Sequence, residues 1–361
     1  MRKELSSEAA TTPRQIRPVG WGVRGAGCVT RVAGFFIALG GANHIRAPLS
    51  FGESRAEGLV TGILMIVGGI AAVFAGARLS RFGRRHTTRL IRDSSLLESR
   101  SYILYLRPFG LDDQLYAVKP DPSRNPVRRL QTPLSRTYEE DLVLSLRFKL
   151  GRVVAVGKPG ERLPRSGARR FYLPSGDWEP TVSALIDKAR LVVLATGTTE
   201  GTLWELTEAV RLLPPERLLL IVFTDEADYD RFRQASAACF TARAAESKGA
   251  EADRLSGFRL PDYPPLQHPE KLTRVVGTQG FITFGPDWQP EFVRLDPTAV
   301  WALSDLGRIR KVVRRQANPA LRRVKRGLSQ AQDVPHSGVL APRVPPQGEA
   351  RDAAAPTSGT E

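Results

Sequence analysis

The stretch "GTTEGTLWELTEAV" (Gly197–Val210) carries three acids, Glu200, Glu205 and Glu208, and it directly follows the apolar run "LVVLA". A strand that ends in a Gly/Thr turn and opens a helix gathers backbone N–H donors and side chains at one rim. A carboxylate at that rim can stabilise a cationic centre or attack one covalently. Glu205 is the first candidate for this chemistry, with Glu208 three residues on as its rival. The neighbouring Thr199, Thr202 and Trp204 are candidates for ligand contact. So are Arg107, Asp112 and Asp113 after an earlier strand-like run, and Lys158 after a second. Arginine beside a glycine-containing turn holds phosphate or carboxylate through two parallel hydrogen bonds. A plainer reading fits the same letters. Thr202-Leu-Trp-Glu205 is a T-x-x-E capping box, which stabilises a helix start by about 1 kcal/mol without any catalysis. On that reading the rim arginines are surface charges and Trp204 is a packing residue.

Other chemistries find no support. Cys28 and Cys239 lie far apart, which argues against a disulfide framework and a cysteine-based zinc site. None of His44, His86, His268 and His336 has a histidine partner at helical spacing, so no metal centre is expected.

The elements that must position these residues run from about 96 to 296. Strands are predicted at "YILYLR", "RVVAVG", "RLVVLA", "RLLLIVF" and "VVGTQGFITF". Helices are predicted at "TYEEDLVLSLRFKL" (with Thr137 and Glu140 as a capping box), "EPTVSALIDKA", "TLWELTEAVRLL" and a region near 227–255. Long loops are expected after the first two strands. Continuous apolar strands indicate burial on both faces. Alternation with helices therefore predicts an α/β fold, a doubly wound, mainly parallel five-stranded sheet. Ligands in such sheets bind beyond the carboxyl ends of the strands.

Ahead of this domain, residues 1–20 read as a disordered tail and 21–95 as a transmembrane hairpin with a basic juxtamembrane segment. Gly58–Ala77 is free of charge over a length that crosses about 30 Å of hydrocarbon. The stretch 25–45 is interrupted by Arg31, which can snorkel to the headgroups. Arginines before the first span and after the second place both ends in the cytoplasm and the multi-pass protein in the cell membrane. Gly58 and Gly62 form a lone GxxxG.

Net charge is +16. Its arginines gather beside the spans and in 297–328, a basic amphipathic helix that either lies on the bilayer with Trp301 as an anchor or is a solvated charged helix. Anionic lipid headgroups are thus the expected partner of the basic segments. Nucleic acid is the sharper alternative, but no RNP motif, finger spacing or aromatic-interleaved basic stretch supports it. Residues 329–361 read as a disordered tail.

From Tyr102 to about Phe223 the sequence resembles a bacterial Toll/interleukin-1 receptor (TIR) domain. The likeness rests on "YILYLRPFGLDD", "RVVAVGKPGERLPRSGA" and "VSALIDKARLVVLATGTTEGTLWELTEAV". "GTLWEL" is also similar to the "GTxxEL" signature of nucleoside 2-deoxyribosyltransferases, in which the Glu is the nucleophile. The resemblance implies a flavodoxin-like domain that acts in signalling through self-association, with NAD as a possible substrate and Glu205 at the nicotinamide ribose. Many TIR domains place the Trp four residues before the Glu, and that spacing selects Glu208. Two functions follow as expectations. One is a membrane-anchored signalling or interaction module that binds a nucleotide. The other is an N-glycosidic hydrolase or transferase acting on NAD or a nucleoside.

Overall fold

A computed structural model describes residues 15–46, 55–88, 90–91, 97–108, 138–157, 168–172, 178–272, 277–302 and 305–333. Asp112, Asp113, Lys158, Thr137 and most of both tails lie outside the described residues.

The first two helices, α1 (Arg17–Arg46) and α2 (Arg55–Thr87), form an antiparallel hairpin. Helix α1 takes in Arg17–Gly20, at the end of the segment read as a tail. Both helices are long and apolar enough to cross a membrane. Their contact is built from glycine. Gly20, Gly27, Gly34 and Gly41 recur every seven residues on α1, and Gly62, Gly69, Gly76 and Gly83 do so on α2. They meet in pairs. A Cβ added at Gly27, Gly34 or Gly41 would lie 2.6 Å from the carbonyl oxygen of Gly76, Gly69 or Gly62 respectively. No side chain fits there, and the backbones touch. A seven-residue repeat keeps such a seam aligned along two helices that supercoil left-handedly. The large apolar side chains point away from it, with Val29, Phe36, Leu64 and Val67 exposed. Small residues inside and bulky apolar ones outside is the pattern of helices whose solvent is lipid.

The remainder is α/β. The strands are β1 (Leu90–Ile91), β2 (Ile103–Leu106), β3 (Val153–Val156), β4 (Arg169–Phe171), β5 (Leu191–Ala195), β6 (Leu218–Val222), β7 (Gly280–Phe284) and β8 (Pro290–Arg294). They form one sheet in the order β1-β4-β3-β2-β5-β6-β7-β8. The first six of that order are parallel, and β7 and β8 join antiparallel. The sheet is therefore mixed and eight-stranded, where the sequence led to five mainly parallel strands. Three strands were missed because they carry little apolar signal. β1 has two residues, β4 reads "RRF" inside the expected long loop, and β8 opens on proline. Direction was missed at β7 because a strand buried on both faces reads alike either way.

Helices cover both faces. On one, α4 (Glu179–Lys188), α5 (Glu200–Leu212), α6 (Glu226–Glu246) and α7 (Ala250–Gly257) pack over Leu104, Leu106, Val192, Leu194 and Leu220. On the other lie α3 (Tyr138–Leu150) and the C-terminal helices α8 (Asp305–Val312) and α9 (Asn318–Asp333), the last two joined by a π turn. Val312, Ala317, Leu321, Val324 and Leu328 pack against Ile103, Leu219 and Ile221. Most of the apolar stripe of 297–328 is thus buried by the sheet, where the sequence allows a helix lying on the bilayer or a solvated charged helix. The charged side, with Arg322, Arg323, Lys325 and Arg326, remains exposed, and so do Trp301 and Val313.

Candidate functional site

Parallel strands β2 and β5 are neighbours, yet the chain leaves them in opposite directions across the sheet. From β2 it goes on to β3, and from β5 to β6. In an open α/β sheet the crevice for ligands forms beyond the carboxyl ends of such a strand pair. Here the two ends touch. A Cβ at Gly197 would sit 2.6 Å from Cγ of Pro108, so glycine is required for the chain to turn past β2.

The turn delivers the chain into α5. Thr199 is the N-cap, with extended backbone angles, and its Oγ1 accepts from the N–H of Thr202 at 3.4 Å. The two threonine hydroxyls also bond to each other at 2.8 Å. The Thr202–Glu205 capping box therefore does not form. Thr202 lies at the third helical position, and Glu205 falls in the second turn, too far along to reach the free N–H groups. Capping does not account for Glu205.

Helical spacing puts Gly201, Glu205 and Glu208 on one stripe. Its flanks show where it faces. Gly201 lies beneath Trp178, at the start of α4, and Glu208 bonds Ser183 of α4. Glu205 is thus on the α4-facing side of α5, next in sequence to Trp204, whose ring meets that of Trp178 edge to face at 4.9 Å. The residue is half-buried, and its carboxyl is crowded by protein atoms while keeping an opening to solvent. Among the described residues no hydrogen bond or ion pair reaches that carboxyl. Burial alone pushes its pKa up to about 8, because a low-dielectric surrounding disfavours the anion. Near neutral pH Glu205 is an acid with a proton to give.

Glu208 is the opposite case. Burial works to raise its pKa, but Arg211 donates to it through Nε at 2.8 Å and Nη2 at 2.6 Å, and Ser183 donates as well. The net effect holds the carboxyl below the usual range. It ties α4 to α5 as an anion. Glu208→Gln is expected to cost about 2 kcal/mol in urea denaturation at neutral pH. The sign follows from the depressed pKa. The stabilisation is complete above the unfolded value and is lost as pH falls through the folded one. The gap between Glu208→Gln and the parent protein therefore closes in acid.

The predicted residues are only partly brought together. Thr199, Thr202, Trp204 and Glu205 share the first two turns of α5, but both threonine hydroxyls are engaged in the cap. Arg107 is buried beside β5. Strand alternation sends it to the same side as Ile103 and Tyr105, the α3 face, whereas Glu205 lies on the other face. Nothing local in the sequence shows that Trp178 meets Trp204 and Gly201 of α5. A separate cleft of about 560 Å³ opens beyond β6. It is lined by Thr224, Asp225, Tyr263 and Arg294, the last stacked on the Tyr263 ring at 4.4 Å, and Glu205 is not part of it. Among the described residues no cluster of His, Cys, Asp and Glu could hold a metal ion. No family model, curated protein or solved structure matches the chain.

Proposed function

We propose that this chain is a membrane-anchored, TIR-like signalling module. Its hairpin spans the cell membrane with both ends in the cytoplasm, and its α/β domain binds a nucleotide at the α4–α5 seam. One observation carries the reading: Glu205, a half-buried acid on the α4-facing side of α5, has no capping duty and no hydrogen bond or ion pair among the described residues. An acid partly withdrawn from water without a partner costs stability, and such groups cluster at ligand sites. The strands read from the sequence stand in the order second, first, third, fourth, fifth, which supports the flavodoxin-like part of the resemblance. Basic residues beside the spans support the orientation and contact with anionic headgroups. Self-association is the output that the resemblance implies.

The same carboxyl favours a second reading, cleavage of the N-glycosidic bond of NAD or a nucleoside. A protonated Glu205 donates a hydrogen bond to a ribose hydroxyl. A cationic nicotinamide ring brought beside it favours the anion, which then stabilises positive charge developing at the ribose.

Detergent-solubilised full-length protein and its Glu205→Gln and Glu208→Gln variants separate the readings. NAD and nucleoside binding by calorimetry is expected to weaken about tenfold or more in Glu205→Gln, the loss of one charged contact. Glu208→Gln is expected to leave it within about twofold. NAD turnover that disappears with Glu205 selects the enzyme. Binding without turnover selects the signalling module. Equal affinity in parent and Glu205→Gln sinks both.

A further inference from the structure

The hairpin carries a second seven-residue series beside its glycines. Position by position along α1 it reads Ile45, Ala38, Arg31, Arg24, and each side chain lies against one glycine of α2. A Cβ at Gly62 would run into Cγ1 of Ile45, and one at Gly69 would meet Cβ of Ala38 at 2.8 Å. One at Gly76 or Gly83 would meet Cγ of Arg31 or Arg24 at 2.7 Å. The same packing position is therefore apolar at one end of the hairpin and cationic at the other. The aliphatic stems of both arginines are clamped on α2 backbone, and both residues are half-buried.

Their heads share a direction. Helical side chains lean toward the helix N-terminus, so Arg31 leans toward Arg24, about 10 Å away along the axis at seven residues' rise. Arg24 lies over the ring of the exposed Trp21 at 4.9 Å. Among the described residues neither Arg24 nor Arg31 is ion-paired. The acid of the two helices, Glu57, stands at the other end, while Arg17, Arg78, Arg81, Arg84 and Arg85 crowd this one. An arginine inside a span is costly without an anion, and guanidinium matches phosphate with paired donors.

We propose that Arg24 and Arg31 form a binding site for the phosphate of an anionic phospholipid in the leaflet at the basic end of the hairpin. This rests on the reading that the hairpin spans a bilayer. The glycine seam is what builds the site. By removing side chains from α2 it lets the stems of two long cations lie across the helix pair, two turns apart on the same side, at Gly76 and Gly83.

The test uses the full chain in bilayers of phosphatidylcholine with a minor share of phosphatidylglycerol. The lipid that stays with the protein after extraction is measured by mass spectrometry. Phosphatidylglycerol is expected to be enriched over the bulk and to lose about fivefold of that enrichment per arginine in Arg24→Gln and Arg31→Gln. Arg24→Lys/Arg31→Lys keeps charge and stem and is expected to retain much of it. Arg46→Gln/Arg55→Gln at the far end is expected to change nothing. No enrichment in the parent protein, or enrichment that survives Arg24→Gln/Arg31→Gln, overturns the site while leaving the anchor intact. Release of the parent protein from vesicles by alkaline carbonate overturns the spanning reading, and the site falls with it.

Discussion

Between about pH 5 and about pH 9, the parent protein is expected to lose roughly 3 kcal/mol of stability relative to Glu205→Gln. The effect comes from partial desolvation of the Glu205 carboxyl. In the unfolded chain Glu205 titrates at its ordinary 4.5, and in the folded chain burial moves it to about 8. Between those values the folded state holds a proton that the unfolded state has released. Stability therefore falls with rising pH, is complete below the unfolded value and is exhausted above the folded one. The full step would be worth roughly 5 kcal/mol at about 1.4 kcal/mol per pH unit. The opening to solvent that leaves the residue half-buried reduces this to roughly 3. Glutamine keeps the shape and does not titrate, so its own curve lacks this slope. Its amide is equally short of partners, which shifts the whole curve by a constant, and the readout is the change in the gap with pH. Trp178 and Trp204, whose rings meet edge to face at the start of α4 and α5, report unfolding by fluorescence in urea. A gap that stays flat across the range would show that the folded carboxyl is ionised and solvated, and would remove Glu205 as a proton donor. A cationic ligand in the seam pulls the folded pKa down and flattens the parent's slope, so the same titration detects occupancy.

How far this site was legible in the sequence can be traced through Thr199, Thr202 and Glu205. Thr202-x-x-Glu205 satisfies the capping-box rule on paper, but Thr199-x-x-Thr202 offers a cap one turn earlier. Local letters cannot choose between the two. The choice is made where β5 stops, and that depends on Gly197 turning past Pro108 of another strand. Once the earlier cap wins, Glu205 loses its ordinary duty and becomes a half-buried acid without a partner among the described residues. The tryptophan pair was illegible for a similar reason, because Trp178 and Trp204 meet only through the packing of α4 on α5. The four long parallel strands and the helices α3 to α6 were readable, since each is long and periodic enough to stand on its own pattern. The C-terminal helix showed its apolar stripe but not its cover. An amphipathic pattern says that a face is buried, never against what. The hairpin is the reverse case. Its second helix was plain from length and lack of charge, the first was legible despite Arg31, and the glycine series of seven was present in the letters. Its meaning appears only when the two series are laid antiparallel, Gly27 opposite Gly76 and Gly34 opposite Gly69.

That pairing makes the second large prediction. Gly34→Leu and Gly69→Leu are each expected to part the two helices, whereas Gly25→Leu and Gly68→Leu are expected to leave them closed. At Gly34 the new Cβ would lie 2.6 Å from the carbonyl oxygen of Gly69, and at Gly69 it would lie 2.5 Å from the oxygen of Gly34. Both obstacles are backbone inside a hydrogen-bonded helix, so neither can turn aside as a side chain would. At Gly25 and Gly68 nothing lies within 4 Å, and leucine there gains helix propensity of somewhat under 1 kcal/mol. Helices are stiff, and relief at one level separates the neighbouring glycine levels too. The loss is then that of the close-packed seam, a few kcal/mol where overpacking alone costs about 1–3. Spin labels on the exposed Val29 and Phe74, one on each helix, measure the result in bilayers. The distance is expected to grow by about 2 Å toward ordinary helix spacing, with a broader distribution. An unchanged distance in Gly34→Leu would mean that the seam is not where the helices meet. Gly34→Leu/Gly69→Leu sharpens the inference further. If these two glycines face each other, the first leucine has already parted them and the second finds room. The pair is then far less than additive, while Gly68→Leu combined with Gly34→Leu is expected to add nothing beyond the single change.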